Sequence, residues 1–594
     1  MITQMKKYTF LVFHRDYEPF LTQLRDLGVV HITQKAAGLI EDDEQLQAAL
    51  QHEDELRRLL KQGAPDQLLA ERANIEQSIA DAQTAAQQAA VWGEFDPARI
   101  QQLKDAGYTL RFFACSTSAY QEEWGIKVSE KEGKTYFVNL DNSTKDLDNS
   151  ISRNIDISDL LDKATEIPQP EKSASMYMQE VEHLKGLLAA ANARIEAWQL
   201  ANIEDIKEQL KEARQNIDWQ RVTLSTDKLA EGSLCLFEGF CPIDKESELN
   251  AMLAASEVYY EETDPAAEDA TPIKLHNNRF AKLFEVFTGM YGWPTYGEFD
   301  PTPILAPFYL LFFAMCMGDA GYGLVLIAFG LLTHYKKVNI EMFEGLGPII
   351  ATLGVGTTIV GLFLGTFFGM PLLEASWYPE ALKHLIISGN VMGFDAQMVL
   401  AIGIGVFHIC LAMVVKALCF TKRFGFAETL SVWGWVLLIV GGLIVLSVSA
   451  LLNLPSQVTK WIIIVIASVS ALAIYIFNKP GRNPLLNIGA GLWDTYNMAT
   501  GLLGDVLSYV RLYALGLAGG MLGGAFNSIA LMVLGENPTW QWLPFLLILL
   551  FGHLLNILMS ALGAFVHPLR LTFVEYFKNS GYEGKGQIYQ PFKK

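Results

Sequence analysis

Apolar runs of about 20 residues recur through the second half of this chain and are missing from the first, and that asymmetry restricts its fold more than any other feature. Residues 1–300 carry 30 Lys+Arg and 52 Asp+Glu, whereas residues 301–594 carry 15 and 12. A helix crossing roughly 30 Å of hydrocarbon tolerates only the second charge density. The chain therefore reads as an acidic soluble domain followed by a polytopic membrane domain. A soluble enzyme is excluded, and nucleic-acid binding is disfavoured because an acidic surface repels phosphates. Lys6 and Lys7 precede only the short run Tyr8 to Phe13, too little for a signal peptide, so the soluble half is expected in the cytoplasm. The six cysteines include no CxxC pair, so we expect no metal and no disulfide framework.

The soluble half starts with a β-α-β pattern: a strand from Lys7 to Phe13, a helix from Tyr17 to Leu27 and a strand from Val29 to Ile32. Helical spacing then runs from Glu41 to Trp92, broken once at Gly63 to Pro65. Val181, Leu184, Leu188, Ala191, Ile195 and Trp198 keep alternating steps of three and four, and after a one-residue slip Ile203, Ile206, Leu210, Ala213 and Ile217 resume them. Such a seam predicts pairing with another helix. The nearest partner is the earlier helix run antiparallel, with arms of about 60 to 70 Å. Leu234 to Cys241, Lys245 to Ala254 and Val258 to Glu262 form a second β-α-β pattern that joins the first. The expected domains are a cytoplasmic domain 1–285, a linker 286–300 and a membrane domain 301–594. Within the first lie a proximal lobe (1–35 and 230–265), a coiled-coil hairpin (40–95 and 172–220) and a distal α/β lobe (105–165).

Gly133, Lys134 and Thr135 imitate the end of a phosphate-binding loop. The glycine required five residues earlier is Val128, and Ile126 to Leu140 reads as strand, turn, strand. No catalytic constellation is found, and no cofactor is expected.

Eight apolar segments are expected, near 302–317, 319–335, 345–370, 397–418, 428–453, 458–478, 495–534 and 541–577. With both termini cytoplasmic, the inner loops receive Lys336, Lys337, Lys416, Lys422, Arg423, Lys479, Arg482 and the C-terminal lysines, and the outer loops only Lys383 and Lys460. The last two segments exceed what a crossing needs, so they are tilted, broken or protruding. Arg511 lies deep in the seventh, where a guanidinium costs at least about 2.5 to 3.5 kcal/mol and needs a counter-charge. Its own helix offers only neutral Ser508 and the poorly directed Asp505, which suits an aqueous access. Gly516, Gly519, Gly520 and Gly523 form a small-residue surface beyond it, suited to the close approach of another helix or to internal packing. In the eighth segment His553, Asn556, Ser560, Gly563, His567 and Arg570 follow steps of 3, 4, 3, 4 and 3. One helical face therefore carries them all. It reads as a wall of a water-accessible path ending near Arg570 and Glu575, with Pro568 bending its inner end.

These motifs resemble those of the a subunit, or subunit I, of V-type and A-type rotary ATPases. The matching stretches are Glu298-Phe-Asp-Pro-Thr-Pro303, Met317-Gly-Asp-Ala-Gly-Tyr-Gly323, Leu507-Ser-Tyr-Val-Arg-Leu-Tyr-Ala-Leu-Gly-Leu517 and His567-Pro-Leu-Arg-Leu-Thr-Phe-Val-Glu-Tyr-Phe577. The resemblance implies a mainly α protein: cytoplasmic α/β lobes on a long antiparallel helical hairpin, then an eight-helix transmembrane domain with two long tilted C-terminal helices. It implies a non-catalytic stator in a prokaryotic cell membrane, beside a rotor ring of small carboxylate-bearing membrane subunits. Peripheral stalk subunits would bind its lobes, and contact with a central-stalk or rotor-cap subunit stays open. Arg511 matches the ring-facing arginine, Arg570 the second arginine, and His567 and Glu575 polar positions of the same motif. Asn497 and Ser560 stand where eukaryotic members carry acidic residues, so the transported ion, H⁺ or Na⁺, stays open. Two other readings are a secondary transporter with Arg511 as substrate counter-charge, and a membrane-anchored scaffold.

Overall fold

The computed structural model describes residues 2–34, 43–142, 163–266, 269–335, 345–376, 378–391, 393–478, 484–535 and 540–594. Lys336, Lys337, Lys479 and Arg482 of the expected inner loops, the first residues of the expected hairpin and most of 143–165 lie outside that set. The chain divides into two compact units, Met1–Thr33 with Asp227–Lys594, and Gln34–Thr226.

The second unit is built on α2 (Glu44–Gln62), α3 (Asp66–Ala89) and a single 52-residue helix, α5 (Ala174–Ser225). Asp43 caps α2 through the amides of Gln45 and Leu46, and Gly63 ends it in the left-handed conformation before Pro65 opens α3. Leu46 packs with Ile217, and Leu56 with Ile206, Leu210 and Ala213. Further along, Arg194 bonds Glu71 at 2.5 Å and Ser175 bonds Glu94 at 2.6 Å. Partner numbers fall as residue numbers rise, so α5 runs antiparallel to α2 and α3. Between them, α4 (Pro97–Asp105) precedes an antiparallel sheet of order β4-β5-β3-β6, formed by β3 (Tyr108–Ser116), β4 (Ile126–Lys131), β5 (Lys134–Asn142) and β6 (Ala164–Ile167). Glu132 and Gly133 both have positive φ, as a tight hairpin turn demands, so the phosphate-loop look-alike is a β-turn.

In the first unit, β1 (Met5–Phe13), α1 (His14–Leu27), β2 (His31–Ile32), β8 (Leu234–Pro242), α6 (Glu246–Ala255) and β9 (Tyr259–Thr263) form one lobe. The two β-α-β patterns interleave. The strand order is β2-β8-β1-β9, every pairing is antiparallel, and β7 (Asp227–Leu229) flanks β8. Each β-α-β connection leaves a one-strand gap that the other half fills, and the buried Phe10, Phe20, Leu24 and Phe237 make the core against α1.

Residues 286–300, expected as a linker, begin inside α7 (Arg279–Tyr291), whose Phe284 and Phe287 pack on Tyr309. The apolar face of α7 explains the difference: it is a docked helix and not a free connection. The C-terminal tail was not anticipated as structure. Ile273 and Tyr589 exchange backbone bonds with Gln587 and Ile273 at 2.8 Å, and the Phe592 amide donates to the Val30 carbonyl at 2.8 Å. His31 Nδ1 meets the Gln590 carbonyl at 2.8 Å beneath this tail. Burial holds the His31 imidazole below its ordinary value near 6.5, opposed by the bond to Gln590. The docked form therefore prefers neutral His31, and docking is complete above the free-imidazole range and eroded as pH falls through it. Hydrogen exchange at residues 586–592, corrected for intrinsic rate, should accelerate several-fold from about pH 7.5 to about pH 5.5, and His31→Gln should flatten the change. Equal protection at both pH values would show that the tail does not sense this imidazole.

Among the described residues, six helices are long and apolar enough to cross a membrane, by length and composition: Gly347–Leu364, Ala396–Phe424, Leu430–Leu452, Ser456–Tyr475, Leu485–Leu534 and Trp542–Ser580. Two shorter apolar helices precede them, α8 (Thr302–Met317) and α9 (Ala320–His334). We number the rest α10 (Gly347–Leu364), α11 (Ala396–Phe424), α12 (Leu430–Leu452), α13 (Ser456–Tyr475), α14 (Pro484–Ser508), α15 (Val510–Leu534) and α16 (Trp542–Arg570). Helices α9 and α10 meet backbone to backbone: a Cβ on Gly323 would strike Thr358 and one on Gly330 would strike Ala351. The expected seventh span is one helical run, Leu485–Leu534, in which a single irregular residue, Tyr509 (φ −75, ψ −19), separates α14 from α15. The eighth ends α16 at Arg570 and continues as a π-helical segment, Leu571–Tyr576, just after Pro568.

Candidate functional site

Arg511 lies two residues beyond the irregular turn at Tyr509, in the first turn of α15. Its guanidinium lies within electrostatic range of Cys316 on α8 and His567 on α16. Its Nη1 is buried with no hydrogen-bond partner, and so is His567 Nδ1. Arg570, three residues on, is exposed. Glu575, on the π-helical segment, is buried; its Oε2 has no partner, and Ser508, Asp505 and Arg570 stand around it. Asp505 accepts from Asn579 Nδ2 at 2.7 Å and pairs with Lys578 at 3.4 Å. The expected residues Arg511, His567, Arg570, Glu575, Asp505 and Ser508 thus converge on the facing ends of α14, α15 and α16, and Lys578 and Asn579 join them.

The rest of the polar stripe is arranged differently. His553 bonds the Tyr322 hydroxyl and Asn527 Oδ1, both at 2.9 Å. Asn556 Nδ2 donates to the Tyr322 hydroxyl at 2.7 Å and the Gly519 carbonyl at 2.9 Å, and Ser560 donates to Asn556 Oδ1 at 3.2 Å. His553, Asn556 and Ser560 therefore form an interhelical network joining α9, α15 and α16, not an open wall. Helical spacing shows that polar residues share a face; it does not say whether that face meets water or another helix.

The glycine surface, which the resemblance would turn toward the rotor ring, packs in part within the chain. A Cβ on Gly516 would strike the Met315 carbonyl, whereas one on Gly519 or Gly523 would sit tightly against Ser560 or Gly369. Gly520 is left beside Thr366 at the rim of a cavity of about 350 Å³. Tyr513, Asp395, Gln397 and Thr366 supply its polar lining.

Gly369 belongs to a small hairpin, β10 (Thr366–Phe367) and β11 (Met370–Pro371), pinned by a residue whose role spacing did not reveal. The buried Asp319 carboxylate accepts from four backbone amides: Gly321 at 2.8 Å, Tyr322 at 3.2 Å, Phe368 at 2.8 Å and Gly369 at 2.7 Å. It caps α9 and holds the hairpin at once. Phe368 has φ +47, a left-handed conformation that costs a bulky residue about 1–3 kcal/mol. The Phe368 carbonyl accepts from Asn527 Nδ2 at 2.7 Å, which links the hairpin to the interhelical network.

These features define a multi-pass membrane protein with a half-buried arginine beside an irregular helical turn, its Nη1 buried and unpaired among the described residues. The model of the V-type ATPase 116kDa subunit family matches residues 21–368, and the chain belongs to that family. The chain is 34% identical over 361 residues to the A-type ATP synthase subunit I of Methanocaldococcus jannaschii, across 56% of this chain and 51% of that one. It thus spans about half the length of that relative. It is 25% identical over 632 residues to the V-type ATP synthase subunit I of Borreliella burgdorferi, covering 100% of both. It is likewise 25% identical over 655 residues to the V-type ATP synthase subunit I 1 of Treponema pallidum, again covering 100% of both. The family match ends ahead of Arg511.

Proposed function

We propose that this chain is the non-catalytic membrane stator of a V-type or A-type rotary ATP synthase, with eight spans and both termini cytoplasmic. Its membrane half works against a rotor ring of small subunits, each carrying a carboxylate. The carrying observation is the buried Nη1 of Arg511, which finds no acceptor among the described residues beside the irregular turn at Tyr509. A guanidinium stays charged even when partly buried, so its counter-charge arrives from outside: the rotor carboxylate. As that carboxylate passes, the guanidinium favours its ionised form and drives ion release, and it blocks direct leakage between two offset half-channels. Asp505, Ser508, Glu575 and Arg570 supply the inner half-channel, and the cavity edged by Gly520, Tyr513 and Asp395 supplies the outer one. His553, Asn556 and Ser560 hold the helices that frame it. The soluble lobes and the α2–α3–α5 hairpin bind peripheral stalk subunits and resist torque.

Cross-linking tests the ring-facing assignment. Leu507 on α14 is 59% exposed, Met521 on α15 67% and Trp461 on α13 67%. In assembled complex, Leu507→Cys and Met521→Cys should form a product with a cysteine beside the rotor carboxylate, and Trp461→Cys should form none. Equal products from all three, or one from Trp461→Cys alone, would overturn the assignment.

A further inference from the structure

We infer that Tyr509 and His408 form a positioning clamp that sets where both arginine-bearing segments stand. The inference rests on the proposed role of Arg511. Tyr509 is the irregular turn itself: α14 stops at Ser508, α15 starts at Val510, and Arg511 follows within the same turn. The Tyr509 side chain is fully buried, and its hydroxyl is hydrogen-bonded to Nδ1 of His408 on α11 at 2.9 Å. The ring rests on Gly405, one turn earlier on α11, where any Cβ would overlap it.

His408 is 1% exposed and is gripped on every side. Phe308 of α8 lies 4.2 Å away between ring centroids and Phe312 at 5.1 Å. Tyr576, which ends the π-helical segment after Arg570, stacks on it at 4.5 Å with an interplanar angle of 9°. One imidazole therefore touches the irregular turn before Arg511 through a hydrogen bond and the segment after Arg570 through a stacked ring. No apolar residue could do both, because the first contact needs a ring nitrogen and the second a flat face. Tyr509 marks the irregular turn, where its amide donates to the Val506 carbonyl at 3.1 Å and its carbonyl accepts from the Leu512 amide at 3.0 Å. Its hydroxyl then fixes the rotation of α15 about its axis, and so the direction of the guanidinium.

A positioning role differs from packing alone in what it controls. Displacing Arg511 by about 1 Å should leave assembly and ATP hydrolysis in place while ions slip past the barrier, a loss of order 10²-fold at the extreme for misplaced reacting groups. Tyr509→Phe keeps the ring and removes the hydrogen bond; Gly405→Ala keeps the bond's atoms and pushes the ring away. In assembled complex reconstituted into vesicles, both should lower ions transported per ATP hydrolysed by roughly ten-fold. Passive ion leak should rise, and His408→Gln, which retains an acceptor, should recover part of the coupling relative to His408→Phe. Unchanged ions per ATP in both assembled Tyr509→Phe and Gly405→Ala would overturn the clamp, as would equal coupling in the two His408 variants. Arg511→Gln, measured alongside, separates the two ideas: normal transport in that variant defeats the reading of Arg511, whereas lost transport with unaffected Tyr509 variants defeats the clamp alone.

Discussion

Arg511→Gln is expected to abolish ATP-driven ion uptake into vesicles, by at least about 100-fold, in a complex that still assembles. Glutamine matches much of the length of arginine and keeps donors for hydrogen bonding, so the local packing of α15 should survive. The positive charge does not survive. Without it nothing favours the ionised rotor carboxylate in a low-dielectric site, and nothing holds the two access paths apart electrostatically. Arg511→Lys keeps the charge but replaces a planar fork with a compact, strongly hydrated ammonium on a shorter reach, so it too should lose most transport, by about ten-fold or more. Assembly is checked by native electrophoresis of the solubilised complex. Normal coupled uptake by the glutamine variant would instead make Arg511 a structural cation, and the scaffold reading would regain its force.

Asp319→Ala should strongly destabilise the membrane half. The carboxylate serves four amides at 2.7 to 3.2 Å, and its removal leaves them in a region with little water to replace it. Bonds to a charged acceptor contribute about 1.5–3 kcal/mol each, and the four share one group, so a loss on the order of 5 kcal/mol is expected. Phe368 adds to the effect, because its left-handed backbone persists only while Asp319 and Asn527 hold it. Asp319→Asn keeps one carbonyl oxygen but turns an amide group toward donors, so it should recover only part of the stability. The measurement is thermal inactivation and protease resistance of the purified complex, with the alanine variant expected to give little intact material. Wild-type stability in Asp319→Ala would mean that water or lipid headgroups satisfy those amides, and the hairpin would not be pinned as described.

The membrane half, the long paired helices and the residues around Arg511 were legible because each rests on a local or periodic property. Apolar length marks a spanning helix, steps of three and four mark the seam on α5, and an arginine in an apolar run is conspicuous wherever it folds. The interleaving of the two β-α-β patterns was not legible, because strand order depends on pairing across more than 200 residues of intervening chain. The polar stripe on α16 shows the boundary most clearly. Its common face followed from helical geometry, but half of it is turned into an interhelical network by Tyr322, 231 residues before His553, and by Asn527 on the preceding helix. His408 was a lone histidine in an apolar span, a visible signal with no spacing to give it a partner. Burial of Tyr509 and Tyr576 on either side of it is what assigns it one.

The sequence by itself determined which half enters the membrane, where the helices run and which cation must find a partner, since hydrophobic length, period and charge act over a few turns. Only the tertiary structure decided that the seventh span turns irregular at Tyr509, that the glycines pack against Met315, Ser560 and Gly369, and that Asp319 ties a hairpin to a helix cap. Those outcomes turn on which atoms approach within 3 Å, and that proximity is set by long-range packing, on which the order of residues along the chain is silent.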